Sequence, residues 1–229
     1  MKKAFFLLFF ILSFHFSQAQ LKTVIGQTDY PFWINIPEGF SENEKLPILI
    51  FLHGKSLSGT DINKVRRYGV LRAMDKGRKI PAIVIAPQLA SGPWNPDKVL
   101  EILNYVQKKY KTDLSRVYVC GMSLGSYGTM AFAGKYPERI AAAVSICGGG
   151  IEKDACKLGT LPLWIQHGDR DFIVPITESK KIVKAILNCN PKADVTFTVI
   201  PGGNHGTVEH LFREDAIYDW MFKHVKTLP

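Results

Sequence analysis

The stretch "VYVCGMSLGSYGTM", residues 117–130, decides how the chain is read. Its first half, within "RVYVCGMS", is apolar and β-branched, the composition of a strand buried on both faces. Its second half, within "LGSYGTMAFAGKY", reads as a helix. Ser123 therefore falls on a sharp strand-to-helix turn. A serine there is forced toward strained backbone angles, and the residues two before and two after it come too close for side chains. Gly121 and Gly125 occupy those two places. Gly-x-Ser-x-Gly is short enough for chance to supply, so its weight must come from its surroundings.

A serine hydroxyl is a weak nucleophile until a base takes its proton and a third group orients that base. On a strand-to-helix turn of this kind the partners are expected later in the chain, acid before histidine. "HGDRDFIVP" follows the next-but-one strand and supplies Asp171, with Asp169 as a rival acid two residues earlier. "PGGNHG" follows the last strand and supplies His205. Each lies at the C-terminal end of a strand, where ligands bind in open α/β sheets. Acyl transfer also needs two N–H donors aimed at the oxyanion. Leu124, directly after the serine, is one candidate, and Lys55 in "ILIFLHGKSLSG" is the other. Trp94, after the "IPAIVIAPQ" strand, reads equally as a substrate-pocket wall or a packing aromatic. His53 and His167 precede glycines at strand ends, where a ring can hydrogen-bond the turn. His210 and His224 read as members of the last helix. No histidine pair has i, i+4 spacing and no CxxC occurs, so neither metal nor organic cofactor is expected.

Outward from the turn, apolar segments alternate with helical ones. "PFWINIP", "LPILIFLHG", "IPAIVIAPQ", "RVYVCGMS", "AAAVSICGG", "LPLWIQHG" and "DVTFTVIPG" read as strands buried on both faces. Helices are expected over 62–75, from Asn95 (N-cap) and Pro96 onward, and over 124–136, 177–187 and 208–225. This alternation means an α/β fold, a doubly wound, mostly parallel sheet with helices on both faces. Between strands ending near Gly149 and starting near Leu161 lie only about ten residues, too few for a cap domain. The site is expected to be open.

The first residues read as a targeting segment. Lys2 and Lys3 precede an apolar run, 4–16, and Ser17 and Ala19 stand at positions −3 and −1 of a cut before Gln20. That is a secretory signal peptide, and the run is shorter than the roughly 20 residues of a membrane span. The expectation is a secreted or periplasmic protein with one domain, 20–229, and no membrane anchor after cleavage. The net charge of +9 falls to +7 without Lys2 and Lys3. The remaining basic residues are scattered, not the dense stripe with aromatics of a nucleic-acid binder. Of the four cysteines, Cys120 and Cys147 sit in buried-strand segments, which leaves Cys156 with Cys189 as the pair to test for a disulfide.

Together these segments resemble the α/β-hydrolase superfamily. The closer likeness is to small secreted esterases of the carboxylesterase, dienelactone hydrolase and polyhydroxybutyrate depolymerase groups, over nearly the whole mature chain. "LPILIFLHGKSLSGTD", "GPWN", "DLSRVYVCGMSLGSYGTMAFAGKYPERIAAAVSICGGG", "PLWIQHGDRDFIVP", "NHG" and "IYDWMF" carry it. The resemblance implies a Ser123–His205–Asp171 triad, an oxyanion hole from Lys55 and Leu124, and a small-molecule or polysaccharide-linked ester as substrate. Two departures stand out. Leu124-Gly125-Ser126 replaces the Met-Gly-Gly of many relatives, and "GTVEH" follows His205 where a Trp often stands.

Overall fold

The computed structural model describes residues 20–40 and 44–228, so the expected export signal, 1–19, lies outside the described residues. Eight strands form one sheet: β1 (Gln20–Val24), β2 (Phe32–Ile36), β3 (Leu46–Leu52), β4 (Ile83–Pro87), β5 (Thr112–Met122), β6 (Ala142–Ile146), β7 (Leu163–Gly168) and β8 (Val195–Ile200). Their order is β1-β2-β4-β3-β5-β6-β7-β8. The pairs β1–β2 and β2–β4 are antiparallel, and every pair from β4 through β8 is parallel. The strand order reverses at β3, whose neighbours are β4 and β5, and crevices for ligands open at such switch points.

Strand alternation divides the core in two. Ile48, Ile50 and Leu52 of β3 and Val117 and Val119 of β5 face one layer. There they meet Val99, Ile102, Leu103 and Val106 of α2 (Pro96–Lys109), Met130, Phe132 and Ala133 of α3 (Leu124–Lys135), and Ile182 and Ile186 of α5 (Thr177–Cys189). Leu49 and Phe51 of β3 and Tyr118, Cys120 and Met122 of β5 face the other. Their partners are Val70 and Leu71 of α1 (Val70–Asp75) and Ile217, Tyr218 and Met221 of α6 (Ala216–Phe222). Fully burying such a side chain stabilises by about 1.5–3 kcal/mol, so the two layers hold the central strands rigid behind the site.

Helix α2 starts as its sequence dictates: the Asn95 side chain accepts from Asp97 N–H at 2.8 Å and Pro96 fills the first turn. Elsewhere the structure differs from expectation. The helix expected over 62–75 is a 3-10 turn, Ile62–Arg67, followed by α1, with a break at Tyr68 and Gly69. Gly69 has φ 77°, and a Cβ there would stand 2.1 Å from the Phe51 ring, so only glycine lets the chain pass. The helix expected over 208–225 is likewise a 3-10 turn, Thr207–Arg213, and then α6. Strand β8 is an edge, and half-exposed, with Val199 40% exposed. The connection from β6 to β7 is longer than expected and holds α4 (Ala155–Leu158). It packs against α3 and α5 rather than forming a lid. A disulfide joins Cys156 in α4 to Cys189 at the end of α5, while Cys120 and Cys147 are buried thiols. Among the described residues no helix is long and apolar enough to cross a membrane.

Candidate active site

Ser123 sits between β5 and α3 with φ 58° and ψ −123°, a region a side chain enters at a cost of order 1–3 kcal/mol. Three contacts hold it there. Its N–H donates to Ile146 O at 2.9 Å, and its carbonyl accepts from Ser126 N–H at 2.9 Å and Tyr127 N–H at 3.1 Å. The glycines are required by close approach. A Cβ on Gly125 would lie 1.8 Å from Leu52 O, and one on Gly121 would lie 2.3 Å from Gly125 O. The tight crossing of β3, β5 and α3 places the serine at the helix N-terminus, the positive end of its dipole. Ser126, one of the departures from relatives, is buried, and its hydroxyl bonds that of Ser145 on β6.

His205 and Asp171 converge from the loops after β8 and β7. Their Nδ1 and Oδ2 atoms are 2.6 Å apart, with the carboxylate buried and the imidazole partly exposed. A carboxylate only accepts, so His205 Nδ1 carries the proton and Nε2 is left as the basic nitrogen. Asp171 Oδ1 accepts from the Ile173 and Val174 N–H groups, both at 2.9 Å. Burial alone would raise the carboxyl pKa. The His205 bond and the two amides outweigh it and hold Asp171 below its ordinary value. The rival, Asp169, is engaged elsewhere, its Oδ1 accepting from Gly202 N–H at 2.7 Å.

A second histidine braces the acid from inside. His167 is fully buried, with Nε2 2.9 Å from Val174 O and 3.4 Å from Asp171 Oδ2. Its Nδ1 is 2.7 Å from Ser179 Oγ, whose hydroxyl reaches Gly148 O at 2.6 Å. This chain ties the acid-bearing loop to the ends of β6 and α5. Burial lowers the His167 pKa, and burial pushes the neighbouring Cys147 thiol up to about 12. The donor atoms of Cys147, His167 and Asp171 lie within 4.8 Å of one another. Asp171 already accepts from Ile173, Val174 and His205, with His167 and Cys147 buried beside it.

Lys55 opens a 3-10 turn, Lys55–Leu57, directly after β3. His53 shapes that turn. Its Nε2 accepts from Leu89 N–H at 3.0 Å, so the proton is on Nδ1, which donates to Gly54 O at 2.8 Å. Burial lowers its pKa to about 4, against a smaller upward pull from the Gly54 carbonyl. Trp94 is 5% exposed. Its Nε1 donates to His53 O at 3.1 Å, and its ring packs edge-on against Tyr30 and His53. It is therefore chiefly a prop beneath the Lys55 turn.

Two clefts flank the serine. One, of about 430 Å³, is lined by Ser123, His205, Lys55, Met122, Tyr68 and Ile173. The other, of about 700 Å³, is lined by Leu124, Tyr127, Ile151 and the rim of Trp94. The structure thus brings Ser123, His205 and Lys55 into one cleft, with Leu124 on the border of the next. Sequence reasoning missed Tyr68, Met122, Ile173 and the His167–Ser179 brace. Only His167 carried a signal, as a strand-end histidine. The wall after His205, where relatives often place a Trp, is built here by Gly206 and Glu209.

The fold has counterparts among proteins of known structure. A thermostable esterase of known structure is 26% identical, superposes with a TM-score of 0.77, and is covered over 91% of this chain and 63% of its own. This chain thus spans less than two thirds of that esterase's length. The feruloyl esterase module of Clostridium thermocellum, bound to sinapinate as an S954A mutant, shares the fold at 17% identity and a TM-score of 0.65, with 88% and 87% of the two chains covered. S-formylglutathione hydrolase from Staphylococcus aureus shares it at 18% identity and a TM-score of 0.69, over 92% and 99%. No curated protein matches the sequence. The profile of the dienelactone hydrolase family matches residues 88–214, more than half of the chain, including Ser123, Asp171 and His205. The fold is that of the α/β-hydrolases, and the chain belongs to the dienelactone hydrolase family.

Proposed function

We propose that this protein is an exported serine hydrolase that cleaves carboxylic esters, with carbohydrate-linked acetyl or feruloyl groups as the substrate class. One observation carries the reading: His205 Nδ1 lies 2.6 Å from the buried Asp171 carboxylate, in the cleft that Ser123 lines from a strained turn. In the first half-reaction Ser123 Oγ attacks the ester carbonyl while His205 Nε2 takes its proton. Asp171 stays ionised and stabilises the imidazolium. The oxyanion rests between the Lys55 and Leu124 N–H groups, and its collapse expels the alcohol, which takes the proton from His205. Water then attacks the acyl-enzyme with His205 as base, releasing the carboxylic acid and free Ser123.

Export is supported by the 1–19 signal pattern and by the Cys156–Cys189 bond, since disulfides persist in oxidising compartments. The carbohydrate-linked class is supported by export, the lidless cleft and the family. A second reading, hydrolysis of an apolar polyester or lipid ester, draws on Phe172 and Ile173, which are 89% and 74% exposed beside the catalytic acid. The test is hydrolysis of p-nitrophenyl acetate, methyl ferulate, acetylated xylan and a peptide anilide by wild type and Ser123→Ala. Ester turnover that disappears in Ser123→Ala is expected. Cleavage of the anilide alone, or activity retained in Ser123→Ala, would overturn the proposal.

A further inference from the structure

Among the described residues Tyr68 is the one phenol lining the cleft with Ser123 and His205, and it lies between the 3-10 turn Ile62–Arg67 and α1. Gly54 N–H donates to its Oη at 3.0 Å, and Ser56 Oγ lies 3.2 Å away. In the Ser56 Oγ–Tyr68 Oη contact either hydroxyl can donate; with Ser56 donating, the phenol keeps its own proton for the cleft it lines. The oxygen sits close to the reaction. A Cβ built on Gly54 would lie 2.7 Å from Tyr68 Oη and 3.3 Å from Ser123 Cβ. Gly54 is also the residue directly before Lys55. The backbone of the next residue is tied down: Gly69 N–H donates to Glu209 Oε1 at 3.0 Å, and Glu209 pairs with Arg213. Burial raises the phenol pKa, against smaller opposing pulls from Ser56 and Gly54, so the group remains a protonated donor at neutral pH.

We infer that Tyr68 is a catalytic residue, a third donor whose phenol O–H hydrogen-bonds the reacting carbonyl oxygen alongside the Lys55 and Leu124 amides. The inference rests on the proposed serine-esterase reading. No bond to Tyr68 forms or breaks and its proton stays on Oη, so its effect is electrostatic. It acts on the charge that develops in the transition state and little on the neutral substrate.

The experiment compares wild type, Tyr68→Phe and a protein with 3,5-difluorotyrosine at position 68, at pH 6. Readouts are kcat and KM for p-nitrophenyl acetate and the affinity of an alkyl trifluoromethyl ketone, which forms a hemiketal oxyanion on Ser123. A single oxyanion-hole donor is worth about 10²–10³ in kcat, so a shared third donor is expected to cost roughly 10–100-fold in Tyr68→Phe, with KM nearly unchanged. Trifluoromethyl ketone affinity should fall by the same factor. Fluorination makes the hydroxyl a stronger donor and the oxygen a poorer acceptor, so the ketone should then bind as tightly as to wild type or tighter. Fluorinated protein that loses ketone affinity would show that Tyr68 only accepts from Gly54 and holds the turn, which overturns the inference. So would a Tyr68→Phe protein with unchanged kcat. If Tyr68→Phe does not fold, the fluorinated protein decides alone. Wild type inert toward every ester would instead overturn the proposed function.

Discussion

Lowering the pH from 7 toward 4 should destabilise the fold through His53, the buried ring beneath the Lys55 turn. In the native state its Nε2 faces the Leu89 N–H donor, so a proton arriving there has nowhere to go without breaking that bond. Burial accordingly holds its pKa near 4 against an ordinary 6.5. Between those values the unfolded chain binds a proton that the folded chain refuses. Stability therefore rises with pH across this window and is level above pH 6.5. At 1.36 kcal/mol per pH step, about 2 kcal/mol is lost by pH 5 and about 3 kcal/mol by pH 4. That is a sizeable part of the 5–15 kcal/mol typical of a domain. Urea unfolding of wild type and His53→Asn at pH 7, 6, 5 and 4.5 reads it directly. His167 and His224, whose pKa values burial also lowers, tilt both proteins alike, so the difference in slope isolates His53. Asp171, held below its ordinary value, loses its contribution only as pH falls through its lower folded pKa, largely outside this window. Equal slopes in the two proteins would refute the assignment of His53 as a buried neutral ring.

Gly125→Ala forces a Cβ to within 1.8 Å of Leu52 O, so β3 and α3 must part. Overpacking of this kind costs about 1–3 kcal/mol or more, and esterase activity should fall well over a hundredfold with a lowered melting temperature. Asp171→Asn should lower kcat by about 10³–10⁴ through the wrong His205 tautomer. Asp169→Asn, whose Oδ1 can still accept from Gly202, should stay within about threefold of wild type. The reverse ranking in a kcat comparison would reassign the acid. Replacing Cys156 and Cys189 by Ser frees a loop with a sequence separation of 33 and should cost about 3–4 kcal/mol in urea unfolding. Ester turnover should survive, because the bond joins α4 to α5 away from Ser123.

The parts legible in the sequence were those with a local chemical signature. Gly121 and Gly125 announced a close crossing because no other residue fits there, and the α2 start was written in Asn95 and Pro96. The triad candidates followed from chain order. What stayed hidden depends on tertiary contact. Gly69 breaks a helix only because Phe51 lies beneath it, and β1 is recognisable only by its pairing with β2. Trp94 could not be divided between wall and core until its bond to His53 O placed it beneath the Lys55 turn. Tyr68 and Ile173 reach the cleft from loops whose course no periodicity encodes.

The most direct measurement is the fate of Ser123 itself. Wild type and Ser123→Ala are incubated with a fluorophosphonate, digested, and the peptide spanning residues 117–130 is weighed by mass spectrometry. A phosphonyl adduct on Ser123 in wild type, absent throughout the Ser123→Ala protein, is the expected result. An adduct that persists in Ser123→Ala, or wild type left unmodified while it still hydrolyses esters, would contradict Ser123 as the nucleophile.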